Sequence, residues 1–426
     1  MTGPPPGLTP DDIAAGMVLG RNRGASGPSA APGPGAPAWP TSADGPTSPE
    51  LPGGRVLDVL ADAVRPALER PPCLVSFSGG MDSSFLLAAA TRAARRDGLP
   101  DPVPITWRFT RAPDADETER QDAVVAALGL TEHVVLAAGD DLDLLGPVAA
   151  DFLTRYGLRS PCNLHLHLPL VAAAAGGSLL TGAGGDQVLG GHAPRQWTTR
   201  RRVAQRVPPP VLAAVARRRH DRFPWLTAPA SRRLTARWLS DQRSRPASGL
   251  PRMRFESTTR FLALATAAFD EMGIGHDTLV RHPFLDAALQ GTLAGLLSRR
   301  PGMRRHELLA AASAGLLPAL VTALHPKARF HQVFVRAATA DFIRRRPDPA
   351  RLPPGVDPIA LHRFWASNPT STATGLLIQH LWLQEGTGGE GGSRQAQLLR
   401  LHDDGPPVGD AELGEQRRNV VVGRLG

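Results

Sequence analysis

The sequence predicts an α/β protein, with a parallel sheet in its first half, a mostly helical second half and unstructured ends. Three observations carry this expectation. Short β-type apolar runs alternate with helical patterns between residues 51 and 191. From 192 to about 385 the pattern is helical and Arg-rich, without a convincing strand. The ends differ from both: residues 1–50, through "PGPGAPAWPTSADGPTSPE", are rich in Pro, Gly, Ser and Ala, and 386–426 begins in the Gly-rich stretch "EGTGGEGGS". Such composition buries too little apolar surface to offset the cost of ordering, so both are expected to be disordered or flexible. At 426 residues and 42% hydrophobic content, the rest can form one large core or two smaller ones.

Taken in order, "CLVSFS" from Cys73 reads as a buried strand, and Asp82 to Arg96 as a helix. "PVPITWRF" is a second strand, Glu117 to Leu128 a second helix, and "EHVVLA" a third strand. A helical stretch follows from Asp140 to about Ala175, and "GSLLTG" is a fourth strand ending in glycines. Strands alternating with helices at this spacing build a parallel sheet, which takes its ligands at the carboxyl ends of the strands. Both Gly-rich segments fall at such ends.

Composition also narrows the function. Cys73 and Cys162 are the only cysteines, too few for a disulfide framework, which fits a cytoplasmic protein. The start of the chain lacks the basic and apolar regions of a secretory signal. The uncharged run 160–185 is long enough for a membrane span, but Pro161, His165, His167 and Pro169 interrupt it, so no membrane partner is expected. The net charge of +9 is carried by arginine, clustered at Arg200–Arg202, Arg217–Arg219 and Arg344–Arg346. No aromatic residues interleave these clusters as a base-stacking surface requires, so solvated helix faces are preferred to a nucleic-acid partner.

The chemistry lies in "SGGMDSS", residues 78–84. A strand that ends in Ser78-Gly79-Gly80 before a helix turns backbone N–H groups outward and forms an anion site. Ser78, Ser83 and Ser84 can add hydroxyls, while Asp82 would repel a phosphate unless a cation such as Mg²⁺ lay between them. A Walker A loop needs a lysine after its last glycine, and the only lysine is Lys327. The pattern instead resembles the signature of the PP-loop ATP pyrophosphatases, whose adenine nucleotide α-hydrolase-like core is a parallel sheet. "TGAGGDQVLGGH" from Thr181 resembles the asparagine synthetase branch, as do "RHPFLDAAL" from Arg281, "GLLPALVTALHPKARF" and "DADETERQDAVVAALGL".

The resemblance implies that 51–191 binds nucleotide and that 192–385 is a helical synthetase half. It implies ATP and Mg²⁺ as cofactors, with Asp82 and Asp186 holding the metal on the pyrophosphate. Ser78, Gly79, Gly80, Asp82, Ser83 and Ser84 would cradle the phosphates, Gly182 would approach the nucleotide, and Lys327 would be catalytic. No glutaminase domain precedes the synthetase region and Thr2 follows Met1, so the amine is expected to come from the substrate rather than from glutamine. β-Lactam synthetases are similar in "HP" before "FLD" and in "PK" at Lys327, but carry a tyrosine where this chain has Ala183. The only tyrosine is Tyr156; Asp270 and Glu271 are merely near the matching acidic helper, and Gln187 replaces a usual glutamate.

Lasso-peptide cyclases also resemble the chain, and they join a core peptide's side-chain carboxylate to its own α-amine. An α-amine has an ordinary pKa near 8 and needs less help from a base. Macrolactam closure of a precursor peptide is the preferred reading, with a leader-binding protein and a leader protease as implied partners. The alternatives are a synthetase acting on a small carboxylate and amine, including a β-lactam-type enzyme, and a binding protein that has lost catalysis. "CNLHLH" offers Cys162, His165 and His167 as metal-ligand types, but two histidines two residues apart do not share a helix face, so a pocket lining is preferred to zinc. His276 and His282 are open as bases or packing residues.

Overall fold

The computed structural model describes residues 7–21, 52–109, 111–189, 222–246, 249–299, 303–313, 315–323, 328 and 330–387. β1 (Cys73–Ser76), β2 (Val103–Phe109) and β4 (Ser178–Leu180) fall within the runs read as strands, and β3 (Val134–Ala138) extends one residue past its run. With β5 (Leu279–Arg281) they form a five-stranded parallel sheet in the order β3-β2-β1-β4-β5. β5 corrects the expectation of a strandless second half. Its three residues are too short for a periodic signal, and its pairing with β4, from Ser178↔Leu279 to Leu180↔Arg281, holds it extended.

The labelled helices are α1 (Pro10–Ala15), α2 (Pro52–Leu68), α3 (Met81–Arg96), α4 (Thr118–Ala127), α5 (Pro147–Tyr156), α6 (Leu168–Ala173) and α7 (Gly185–Leu189). The second half contributes α8 (Ala228–Ser244), α9 (Gly249–Ser257), α10 (Arg260–Gly275), α11 (Ala287–Arg299), α12 (Arg305–Ala312), α13 (Ala337–Arg344), α14 (Pro358–Ser367) and α15 (Gly375–Thr387). Successive side chains of β1 point to opposite faces, as strand geometry requires. Cys73 and Val75 join the core formed with α2, α3, α11 and α12. Leu74 joins the core formed with α5, α6 and α10. The sheet is therefore covered on both sides, which is why its strands read as nearly continuous apolar runs.

The stretch expected to be helical from Asp140 to Ala175 is broken. α5 ends at Gly157, where φ is +68°, and a 3-10 turn at Leu164–His167 leads into α6. The largest correction concerns residues 7–21, placed with the disordered 1–50. In α1 the Thr9 and Asp12 side chains form a reciprocal capping box, and Gly16 closes the helix in the left-handed region. The buried Asp12 carboxylate accepts from Arg260 Nη2 at 2.8 Å, and Trp225 Nε1 donates to Ala14 O at 2.7 Å. α1 thereby joins a second core with Trp225, α8, α14 and α15. Composition averaged over fifty residues conceals this short signal.

The helical half is fastened to the sheet through Asp143, whose buried carboxylate accepts from the backbone amides of Leu145, Arg336 and Thr339. Leu144 N also donates to Phe334 O at 2.9 Å. This clamp holds residues 330–339 against the carboxyl edge of the sheet.

Candidate active site

β1 delivers the first loop, and Gly79 turns it with φ at +81°. A side chain there would also meet Gln121 Cγ at 2.9 Å, so the turn requires glycine. The serines divide their work. Ser84 Oγ donates to Gly80 O at 2.8 Å and Ser83 Oγ to the same carbonyl at 3.1 Å; Gly80 N donates to Ser78 Oγ at 3.2 Å. Gln121 Nε2 donates to Ser78 O at 3.2 Å. Ser84 is fully buried, so its hydroxyl braces the loop rather than facing outward as the sequence suggests. The first internal bond of α3 runs from Ser84 N to Gly80 O, so the amides of residues 81–83 precede the helical ladder.

β4 lies beside β1 and delivers the second loop to the same edge. Gly184, with φ at +89°, is in close contact with Leu285, and Gly185 faces the Asp82 carboxylate. The "PFLD" segment supports this approach. Phe284 packs on Phe85 of α3 with ring centroids 6.4 Å apart, and Asp286 caps α11 by accepting from Leu289 N at 2.9 Å. Thr181 Oγ1 accepts from Ala183 N at 3.2 Å and lies 2.6 Å from His282 Nδ1. His282 thus positions the second loop, and burial with the neighbouring Arg281 charge brings its pKa down to about 4. A side chain at Gly182 would meet nothing within 4 Å, so this glycine fronts open space.

These loops bring Asp82 and Asp186 to one point, and Arg305, the first residue of α12, spans them. Arg305 Nη1 donates to Asp186 Oδ1 at 2.5 Å and Nη2 donates to Asp82 Oδ2. Burial works against the guanidinium charge, but the hydrogen bond and charge of Asp82, together with Asp186, outweigh it and raise the pKa. Sequence reasoning missed Arg305. A signal was present, since arginine in the first turn of a helix opposes the helix dipole and calls for a negative partner elsewhere. Two carboxylates bridged by one cation also pass the test of fit for a divalent metal, which Asp82 and Asp186 would hold.

A cavity of about 250 Å³ opens beside the first loop, lined by Ser78, Trp107, Gln121, His167, Phe330 and Phe334 among others. Its aromatic walls suit a flat apolar group. The Cys162–His167 motif is divided: His165 bonds the carbonyls of Leu142 and Cys162, whereas His167 lines the cavity and packs at a tilt against Phe269, with centroids 4.7 Å apart. Burial lowers the His167 pKa to about 3 and pushes the Cys162 thiol up to about 12. Glu271 is paired with Arg159 at 2.8 Å, and Asp270 is exposed. A methyl at Gly275, just before β5, would lie 3.0 Å from Tyr156 Oη, so the tyrosine sits toward the amino edge of the sheet, away from the loops. His276 shares that edge. Lys327 lies outside the described residues, as do Arg200–Arg202 and Arg217–Arg219.

Two Gly-rich loops that bring a carboxylate pair to the carboxyl edge of a parallel sheet mark the ligand-binding crevice of an open α/β protein. The family model of asparagine synthase matches residues 55–384, well over half of the chain, and the protein belongs to that family. Membership makes it an ATP-dependent amide-forming synthetase in general terms. None of the curated proteins compared matches the chain. No helix among the described residues is long and apolar enough to cross a membrane.

Proposed function

We propose that the protein activates a substrate carboxylate as its adenylate and transfers the acyl group to an amine carried by the same substrate, closing a macrolactam in a ribosomal peptide. The convergence of Asp82 and Asp186 on one cation between the two loops carries the nucleotide half of this reading. A bound Mg²⁺ would supply neutralisation of the pyrophosphate charge. The residues of the chain do the rest: the amides at the start of α3 receive phosphate oxygens, and the aromatic cavity beside Ser78 excludes water from a flat group bound there. In the first step a carboxylate oxygen attacks the α-phosphorus of ATP and pyrophosphate leaves. In the second the amine nitrogen attacks the acyl carbon, AMP leaves and the amine loses a proton. Lys327 would stabilise the charge that develops on the acyl oxygen. Phe330, three residues later, lines the cavity, which favours that role.

The position of Tyr156 and the presence of Ala183 in the second loop argue against a tyrosine-dependent β-lactam closure and favour an acceptor that is already partly neutral, such as a peptide α-amine. A precursor peptide, a leader-binding protein and a leader protease are the partners this reading requires. It is tested by incubating the protein with ATP, Mg²⁺ and a leader-free peptide bearing an internal Asp or Glu. AMP, pyrophosphate and a peptide lighter by one water are expected. ADP and phosphate would refute the adenylation chemistry, while AMP formed only with a small carboxylate and amine would move the assignment to a small-molecule synthetase.

A further inference from the structure

Asp82 and Asp186 do not wait for a metal with their charges exposed to one another. Arg305 takes one oxygen from each carboxylate, and its guanidinium stands between the first turns of α3 and α7. Asp82 is mostly buried in this arrangement and Arg305 largely so, with side-chain exposures of 15% and 29%. The Arg305–Asp82 contact is therefore partly shielded from water and salt, whereas Asp186, with 54% of its side chain exposed, meets Arg305 at the surface. A divalent cation seeking the same two carboxylates meets a fixed positive charge already bonded to both. The two cations exclude each other by charge and by competition for the same two carboxylates.

We propose that Arg305 is an exchangeable counter-ion: it holds the position between Asp82 and Asp186 in the nucleotide-free protein and must leave for the metal to enter. The inference rests on reading Asp82 and Asp186 as the metal-holding pair. It has a consequence for binding order. Free metal binds weakly, because only the fraction of molecules with Arg305 withdrawn is competent. A metal–nucleotide complex binds well, because its phosphate oxygens offer the displaced guanidinium new acceptors, which Arg recognises in bidentate fashion. Metal and nucleotide affinity are thus coupled through the Arg305 side chain, and each must raise the other by the same factor.

The experiment titrates Mn²⁺ by electron paramagnetic resonance into the full chain, with and without α,β-methylene ATP. Wild type and Arg305→Gln are compared, each with and without Asp82→Asn. Arg305→Gln should bind Mn²⁺ alone at least 10-fold more tightly than wild type and gain less from the nucleotide analogue. Arg305→Lys should stay closer to wild type, since it retains the charge. Asp-dependent Mn²⁺ binding that is equal in wild type and Arg305→Gln would overturn the proposal while leaving the metal site standing. Binding insensitive to Asp82→Asn in both backgrounds would overturn the metal reading and the proposal together. Hydrogen exchange on the wild type gives a second measurement if the variant does not fold. Saturating Mn²⁺ with the analogue should change protection in the first turn of α12, and unchanged protection there would count against displacement.

Discussion

Replacing Gly185 with alanine tests whether the close approach of the two loops sets the chemistry, because the change adds a methyl and removes no charge. That methyl would lie 2.5 Å from Asp82 Oδ2, 2.9 Å from its Cγ and 3.1 Å from its Cβ. An ordinary contact begins near 3.4 Å, so the carboxylate must retreat by almost an ångström. Rotation of the carboxylate alone gives little relief, since Asp82 Cβ is itself crowded. Gly185 has no positive φ and opens α7, a position that alanine also adopts, so the helix itself loses nothing. The cost falls on the spacing of the carboxylates. A misplacement of about 1 Å at a reacting centre can cost roughly 10²-fold in rate. Gly185→Ala should therefore lower substrate-dependent pyrophosphate exchange by about that factor while its melting temperature stays within a few degrees of wild type. Wild-type exchange from a folded Gly185→Ala protein would refute the argument that this glycine exists to admit Asp82.

Other perturbations follow from the same geometry. Gly182→Ala should leave stability unchanged, because nothing lies within 4 Å of the added methyl, yet weaken binding of α,β-methylene ATP by calorimetry if the nucleotide approaches there. Asp12→Ala removes the carboxylate that Arg260 needs and should cost about 3 to 5 kcal/mol in urea unfolding, the range for breaking a buried pair; deleting residues 1–21 should cost at least as much. His282 has a folded pKa near 4 against an ordinary 6.5, so as pH falls through that window the unfolded chain takes up its proton first and stability is lost. His282→Gln should flatten the pH dependence of urea stability by at most about 1.4 kcal/mol per pH unit between those values. Lys327→Ala should retain nucleotide binding and lose amide product by about 10² to 10³-fold, read by mass spectrometry.

Legibility in the sequence followed the range of the forces involved. β1 and β4 were visible because they are buried almost throughout and must be apolar, whereas the more exposed β2 and β3 were visible through their β-branched and aromatic residues. The loops were visible because a tight turn under an anion leaves glycine few substitutes, and Gly79 at φ +81° is such a place. β5 was invisible because three residues take their conformation from a partner 101 positions away, as in Ser178↔Leu279. α1 was overlooked for a different reason: "TPDDIAAG" contains a cap, a proline at the first turn and a closing glycine, but reading a fifty-residue average hid it. The serines show the limit of motif reading most clearly. Ser78, Ser83 and Ser84 suggested hydroxyls for phosphate, whereas the Ser84 hydroxyl, buried on Gly80 O, holds the loop in shape.

Arg305 belongs to neither kind of information. It is separated from Asp82 by 223 positions and from Asp186 by 119, so no local pattern links them. Its placement nonetheless solves a problem that the loops create. Two carboxylates brought together by backbone geometry repel each other, and the free protein must neutralise them without a permanent ligand. A buried hydrophobic neighbour would raise their cost, and a lysine would meet them as a single point charge. The planar guanidinium spans both at once and can release both at once. The backbone fixes where the charges converge, and a side chain from the helical half decides what stands between them. That division gives the helical half of this chain a place at the site before substrate arrives, and the binding of metal is the measurement that tests it.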